Sequence, residues 1–112
     1  MRADLDRTFT ALADPTRRAV VGLLRKRPLR SGEIARALAT SRPAMSRHLR
    51  VLRRAGLVDE EAGDDDARAR VYRLRQERFA DLRRWLDEVE AFWSDQLRGF
   101  KVHAERKLGR RP

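Results

Sequence analysis

SRPAMSRHLRVLRRAG, residues 41 to 56, is the segment around which the rest of this chain is organised. Within it, Met45, Leu49 and Leu52 follow the i, i+4, i+7 spacing of a buried helical stripe. The spacing predicts a helix over residues 42 to 55 that rests on an apolar core, and this helix is referred to below as the reader helix.

Both ends of the reader helix carry sequence signals. Ser41 is a good N-cap, because its hydroxyl oxygen can accept a hydrogen bond from a first-turn amide that lacks a helical partner. Pro43 is tolerated in the first turn for the same reason. Gly56 supplies the residue after the last turn at which helices commonly stop.

The side of the reader helix opposite the apolar stripe carries short polar and cationic side chains and no acid. They are Arg42, Ser46, Arg47, Arg50 and Arg54. A helix of this kind fits the major groove of DNA, where arginine can read guanine edges. The alternative is an ordinary solvated helix face, which is what most surface charge forms.

Positive charge is concentrated around the same helix. The formal net charge is +10, and residues 25 to 54 hold ten Arg or Lys against one acid, Glu33. Residues 1 to 24 carry a net charge of +1, and residues 55 to 112 balance at zero. Such a local excess is typical of a nucleic-acid footprint rather than of a general solubility device.

Composition argues against several classes of protein. A length of 112 residues predicts one small domain, which we place at residues 1 to 108, with residues 109 to 112 as a frayed tail. The chain has no Cys, which excludes disulfides, thiolate metal sites and thiol redox sensing. No apolar run approaches the roughly 18 residues of a membrane span, and residues 1 to 9 lack a signal-peptide core. We therefore expect a cytoplasmic protein with no membrane partner.

The part of the chain before the reader helix predicts three further helices. Residues 4 to 13 form a short amphipathic helix, and Asp14-Pro15 caps and begins the next one. Ser31 is expected to cap a third helix, which leads through a tight turn into the reader helix. A helix, a short turn and a second helix make the helix-turn-helix pattern.

Beyond the reader helix the pattern changes to two short strands and then one long helix. Residues 57 to 75 predict a β-hairpin, or wing, because two alternating runs flank a loop rich in Gly and Asp. Residues 77 to 107 are helical again by periodicity. The predicted fold is mainly α with a small β-hairpin: a winged helix-turn-helix in the order α-α-α-α-β-β-α.

An apolar stripe on the first and last helices predicts a helical dimer interface. A core this small cannot cover the last helix on every side, so part of the stripe is expected to join two copies of the chain. The alternative is that the aromatic residues pack on helices of their own subunit. A homodimer would set two reader helices about 34–36 Å apart, which suits a palindromic operator. The expected interface residues are Leu5, Phe9, Leu12, Trp85, Leu86, Val89, Phe92, Trp93, Leu97 and Phe100.

Several runs of this sequence resemble a known family. Those that carry the resemblance are ALADPTRRAVVGLL (residues 11 to 24), SRPAMSRHLRVLRRAGLV (41 to 58) and RVYRL (70 to 74). They are similar to the ArsR-type winged-helix repressors, and WLDEVEAFWSDQL (85 to 97) resembles the metal-independent, SdpR-like branch. The resemblance implies a homodimer, held by the first and last helices, that represses transcription by occupying an operator in double-stranded DNA.

The residue pattern and the resemblance together predict the DNA contacts. Arg42 and Arg47 are expected at base edges with Ser46 between them, and the later arginines of the reader helix are expected at phosphates. Arg30 and Ser31 are expected to hold a phosphate at the start of the third helix, unless Ser31 serves only as its cap. The full set is Arg30, Ser31, Ser41, Arg42, Pro43, Ser46, Arg47, Arg50, Arg53, Arg54, Arg68 and Arg70.

Two features depart from the family pattern. Metal-sensing members carry a Cys-containing motif or a His/Asp/Glu set on the last helix. This chain has no Cys and only His103 there, so we expect no metal and no cofactor. The wing tip holds three consecutive carboxylates at residues 64 to 66, which phosphates repel, so Arg68 and Arg70 are the better candidates for DNA contact.

Other functions fit the sequence less well. No Ser/His/Asp set, paired-carboxylate pocket or Gly-rich phosphate loop is present, so we do not expect an enzyme. A small organic effector bound at the aromatic interface is one alternative, although such clusters are more often core. A sequence-indifferent nucleoid-type binder or an RNA binder is another, although exposed aromatics for base stacking are scarce. His48, beside the apolar stripe, is expected to be packed and hydrogen-bonded rather than a pH switch or a base contact.

Overall fold

The structure, a computed structural model, describes residues 2 to 62 and 70 to 109 of the chain. The described part divides into two compact units, of which one ends at Asp81 and the other begins at Leu82. The elements in chain order are α1 (Arg2–Leu12), α2 (Pro15–Leu24), β1 (Leu29–Arg30), α3 (Ser31–Ala37), α4 (Arg42–Arg54), β2 (Val58–Glu61), β3 (Val71–Leu74) and α5 (Gln76–Gly109). The predicted winged helix-turn-helix is confirmed, and α4 is the reader helix.

The sheet has one strand more than the predicted hairpin. β3 lies in the middle and pairs antiparallel with both β2 and β1. In β1, Leu29 lies opposite Tyr72 and Arg30 lies opposite Val71. A strand of two residues is too short to show the alternation that identifies strands in a sequence, so only its pairing with β3 reveals it.

The core lies beneath α4. Met45, Leu49 and Leu52 are each at most 1% exposed, as their spacing predicts. They pack in one cluster with residues from α1, α2, α3 and the start of the wing; its other buried members are Ala11, Val20, Leu24, Leu29, Ile34, Ala35, Ala55, Leu57 and Val58. This packing holds one side of α4 inward, so the opposite side must face solvent. None of the helices in the described ranges is long and apolar enough to cross a membrane.

The C-terminal ends of α3 and α4 share one backbone motif. After α4, Gly56 has φ +78°, and the amide of Leu57 donates to the carbonyl of Leu52 at 3.0 Å. After α3, Ala39 has φ +51°, and the amide of Thr40 donates to the carbonyl of Ala35 at 2.9 Å. Both are Schellman-type stops, which place one residue in the left-handed region. The stop at Gly56 was predicted from the sequence, whereas the residue type of Ala39 gives no sign that α3 stops there.

The N-terminal ends of the helices confirm two predicted caps and correct one. The amide of Ala44 donates to Ser41 Oγ at 3.2 Å, and the amide of Arg17 donates to Asp14 Oδ1 at 3.0 Å. Ser31, expected to cap α3, is instead its first helical residue, and Arg30 holds the cap position. Pairing in β1 keeps Arg30 extended, and its amide donates to the Glu33 carboxylate at 3.1 Å.

Arg17 ties α1, α2 and α4 together. Its Nε donates to the carbonyl of Ala11 at 2.7 Å and its Nη2 to that of Thr10 at 3.1 Å, which satisfies the end of α1. Its Nη1 lies 3.5 Å from Nδ1 of His48. The prediction that His48 is packed and hydrogen-bonded is therefore confirmed.

Candidate nucleic-acid interface

The outward side of α4 presents the polar and cationic residues that the sequence predicts. Ser46, Arg47 and Arg50 are exposed. In the described part of the chain, no carboxylate forms an ion pair with Arg47 or Arg50. Both guanidinium groups are therefore available to an anion or a base edge, on a helix whose other side is fixed by the core.

The start of α4 lies against the start of α3. A Cβ added to Gly32 would stand 3.4 Å from Nη2 of Arg42, so the Arg42 guanidinium lies over the first turn of α3. The structure thus brings Arg42 close to the segment that contains Arg30 and Ser31. Arg30, Arg42 and Pro43 are exposed, whereas Ser31 is half-buried.

A groove of about 360 Å³ separates α4 from the wing. It is lined by Ser46, Leu49, Arg50, Arg53, Arg54, Glu60, Arg70 and Tyr72. Four of the predicted DNA contacts are arginines of this groove, so residues far apart in sequence meet along one surface. We refer to it as the wing groove.

One carboxylate organises the wing groove. Glu60 Oε1 lies 2.6 Å from Nη1 of Arg53 and 2.8 Å from Nη1 of Arg70. Tyr72 donates its hydroxyl to Glu60 Oε2 at 2.8 Å, from the strand position directly opposite Glu60. With only 18% of its side chain exposed, Glu60 joins the reader helix to both strands of the wing.

The sequence interpretation missed Glu60 and Tyr72 as members of this surface. One signal could have found Glu60: it follows the apolar Val58 by two residues, and alternation puts such a pair on one side of a strand. The structure shows Val58 buried and Glu60 partly buried. A partly buried acid within a basic region indicates a cation partner.

Among the described residues, Tyr72 and Asp14 have shifted pKa values. Burial, followed by the hydrogen bond to Glu60, raises the pKa of Tyr72 above its ordinary value of 10.0. The amide of Arg17 stabilises the charged form of Asp14 and lowers the pKa of that carboxyl below 3.8. The Tyr72 shift reports directly on the wing groove.

Arg68 and the acidic tip at residues 64 to 66 lie outside the described residues, and Arg70 is exposed at the base of β3. Across the ranges that the structure does describe, no group of three or more His, Cys, Asp or Glu side chains is arranged to hold a metal ion.

The predicted interface residues differ in exposure. Leu5 and Val89 are half-buried, and Leu12 packs against the core of its own unit. The exposed members are Phe9 (40%), Trp85 (38%), Leu86 (47%), Phe92 (58%), Trp93 (59%), Leu97 (64%) and Phe100 (73%). Phe92 and Trp93 meet edge to face, with ring centroids 6.0 Å apart.

Comparison with known proteins agrees with this architecture. Residues 12 to 61 match the helix-turn-helix domain family. The HTH-type transcriptional regulator Rv2034 of Mycobacterium tuberculosis is 49% identical over 96 residues, which cover 85% of this chain and 83% of that protein. The transcriptional repressor SdpR of Bacillus subtilis is 34% identical over 56 residues, which cover 50% of this chain and 62% of that protein. The structure of an ArsR-like transcriptional regulator from Rhodococcus sp. RHA1 superimposes with a TM-score of 0.79 at 29% identity, and covers 93% of each chain.

The chain belongs to the ArsR-type winged helix-turn-helix family. It is a transcriptional regulator with a helix-turn-helix DNA-binding domain, and its relatives are regulators rather than enzymes.

Proposed function

We propose that this regulator is a homodimeric repressor that occupies a palindromic DNA operator in the cytoplasm. The observation that carries the proposal is the outward side of α4, where Arg47 and Arg50 are exposed beside Ser46 on a helix anchored by its buried side. A helix anchored in this way, whose exposed guanidinium groups form no ion pair within the described part of the chain, suits the major groove. The description of SdpR as a repressor supports the repressor assignment.

The proposed contacts fall into two groups. Arg47, Arg42 and Ser46 read base edges, and Pro43 touches a thymine methyl group. The second group holds phosphates and therefore positions the protein without reading sequence. Its members are Arg30, Ser31, Ser41, Arg50, Arg53, Arg54 and Arg70, and Arg68 is proposed with them from the sequence alone.

The proposed dimer rests on α5. Trp93, Leu97 and Phe100 follow one another at four- and three-residue spacings, so they lie on one side of the helix, and each is at least 59% exposed. An apolar stripe of this size in water marks an interface. A second copy of the chain is the proposed occupant, because a twofold axis pairs such a stripe with itself.

A footprinting experiment tests the DNA proposal. The purified protein is incubated with genomic fragments, beginning with its own promoter, and one symmetric protected site is expected. Arg47→Ala should lose the preference for that site, whereas Arg83→Ala, a change at an arginine on α5 whose side chain is 79% exposed, should bind as the wild type does. Affinity should fall with salt at a log–log slope of about −0.9 per phosphate neutralised. Protection without sequence preference would indicate a nucleoid-type binder and refute the proposal.

Sedimentation equilibrium tests the dimer separately. The wild-type protein should sediment at twice the 13.1 kDa chain mass. Trp93→Glu should yield monomers, because it places a charge in the apolar stripe, while Arg83→Glu should leave the dimer intact. A monomeric wild-type protein at the concentrations that protect DNA would contradict this part of the proposal.

A further inference from the structure

Glu60 lies in the wing groove among arginines that are proposed to hold DNA phosphates. Its carboxylate is surrounded by donors, and it occupies the guanidinium groups of Arg53 and Arg70 on the surface where phosphates are proposed to bind. We propose that Glu60 is an internal competitor for DNA phosphate, which sets the sequence-independent part of the affinity. This inference rests on the proposed function, in which Arg53 and Arg70 hold phosphates.

The geometry favours competition over simple support. The Arg53 and Arg70 side chains are 51% and 49% exposed, so each can turn towards an incoming phosphate. Glu60 is only 18% exposed and is fixed by the Tyr72 hydroxyl, so it cannot withdraw from the groove. A phosphate that approaches the arginines therefore meets a fixed negative charge, which water and salt screen less than a surface charge.

This competition is independent of base sequence. Every duplex presents the same phosphates, and contacts to them carry no sequence information. Arg47, the proposed base reader, has no acid partner among the described residues and does not line the wing groove, so Glu60 leaves its contact with a base edge unaffected. Glu60 should thus weaken binding to operator and random DNA by the same factor.

The test compares Glu60→Gln with Glu61→Gln. Glutamine keeps the size of the side chain and an oxygen for the Tyr72 hydroxyl, but it removes the charge. Glu61 is the matched control, because it is the next residue of β2, is 61% exposed and pairs with Arg73 instead. Both variants raise the net charge of the chain equally, so a difference between them isolates the position of Glu60.

Affinity is measured by fluorescence anisotropy on a labelled random-sequence duplex of about 30 base pairs, between about 50 and 200 mM salt. Glu60→Gln should bind on the order of fivefold more tightly than the wild type at low salt, with a salt slope steeper by about 0.9. Glu61→Gln should stay close to the wild type. Circular dichroism checks that each variant is folded. If Glu60→Gln unfolds the wing, Glu60→Met, which fills similar space without charge, provides the same test.

Three outcomes would overturn the inference. Weaker binding by Glu60→Gln would mean that the carboxylate supports the arginines instead. Unchanged binding would mean that Glu60 has no role in DNA affinity. Equal gains in affinity for Glu60→Gln and Glu61→Gln would mean that only the net charge of the chain matters. The random duplex keeps this test separate from the operator: if footprinting finds no specific site, the proposed function fails, but the comparison of the two variants still decides the role of Glu60.

Discussion

The stop of α4 at Gly56 allows a quantitative test of how the reader helix is positioned. With φ at +78°, an L residue there adopts the left-handed region, which costs roughly 1–2 kcal/mol. An added Cβ would also stand 3.2 Å from Cγ of Arg78. Arg78 can move little, because it pairs with Asp4 at 3.6 Å and Asp81 at 3.2 Å.

Ala39 supplies the opposite change within the same motif. It already holds φ +51° with a side chain, so Ala39→Gly removes the strain that Gly56→Ala introduces. Glycine gives the unfolded chain more conformational entropy than alanine does. In each substitution this entropy difference opposes the change in strain by about 0.4–1 kcal/mol. We expect Gly56→Ala to lower the free energy of unfolding by about 1 kcal/mol and Ala39→Gly to raise it by somewhat less.

Urea denaturation followed by circular dichroism, at one fixed protein concentration, measures the free energy of unfolding of both variants. For a chain of this size, about 1 kcal/mol corresponds to a shift of about 3–6 °C in Tm. Gly56→Ala should also weaken DNA binding near its melting range, because it acts where the reader helix meets the wing. Equal destabilisation by both substitutions would refute the argument that left-handed residues set the two helix ends.

Three further outcomes follow from burial and charge. Tyr72 is the sole tyrosine in the sequence, so ultraviolet titration should show its pKa above 10.0 and nearer to 10.0 in Glu60→Gln. Because the folded-state pKa is raised, the contribution of Tyr72 to stability is full below about pH 10 and is lost as pH rises through the folded-state pKa. The Asp14 pKa is lowered by the amide of Arg17, so its contribution is full above about pH 4 and is lost as pH falls through the folded-state pKa, and acid titration of Asp14→Ala by circular dichroism should lack that part of the transition. Leu52→Ala, at a fully buried position, should cost about 2–5 kcal/mol in urea denaturation, and a loss below 1 kcal/mol would contradict its place in the core.

The features that could be predicted from the sequence are those that depend on neighbouring residues. The stripe of Met45, Leu49 and Leu52 needs only the 3.6-residue period, so the buried side of α4 followed directly from spacing. Ser41 and Gly56 act on amides and carbonyls within a few residues of themselves, so the ends of α4 were predictable too. The strand β1 and the left-handed Ala39 were not, because each takes its conformation from contacts that its own residue type does not signal.

Patterns within short stretches of the sequence were therefore enough to predict the winged helix-turn-helix, the reader helix and the local surplus of arginine on it. The pairing of these arginines became visible only in the folded chain: Arg47 and Arg50 form no ion pair within the described residues, while Arg53 meets Arg70 of the wing at Glu60. The physical reason is distance along the chain. Periodicity and capping act within one or two helical turns, whereas the charge balance of the wing groove arises where a helix and two strands meet.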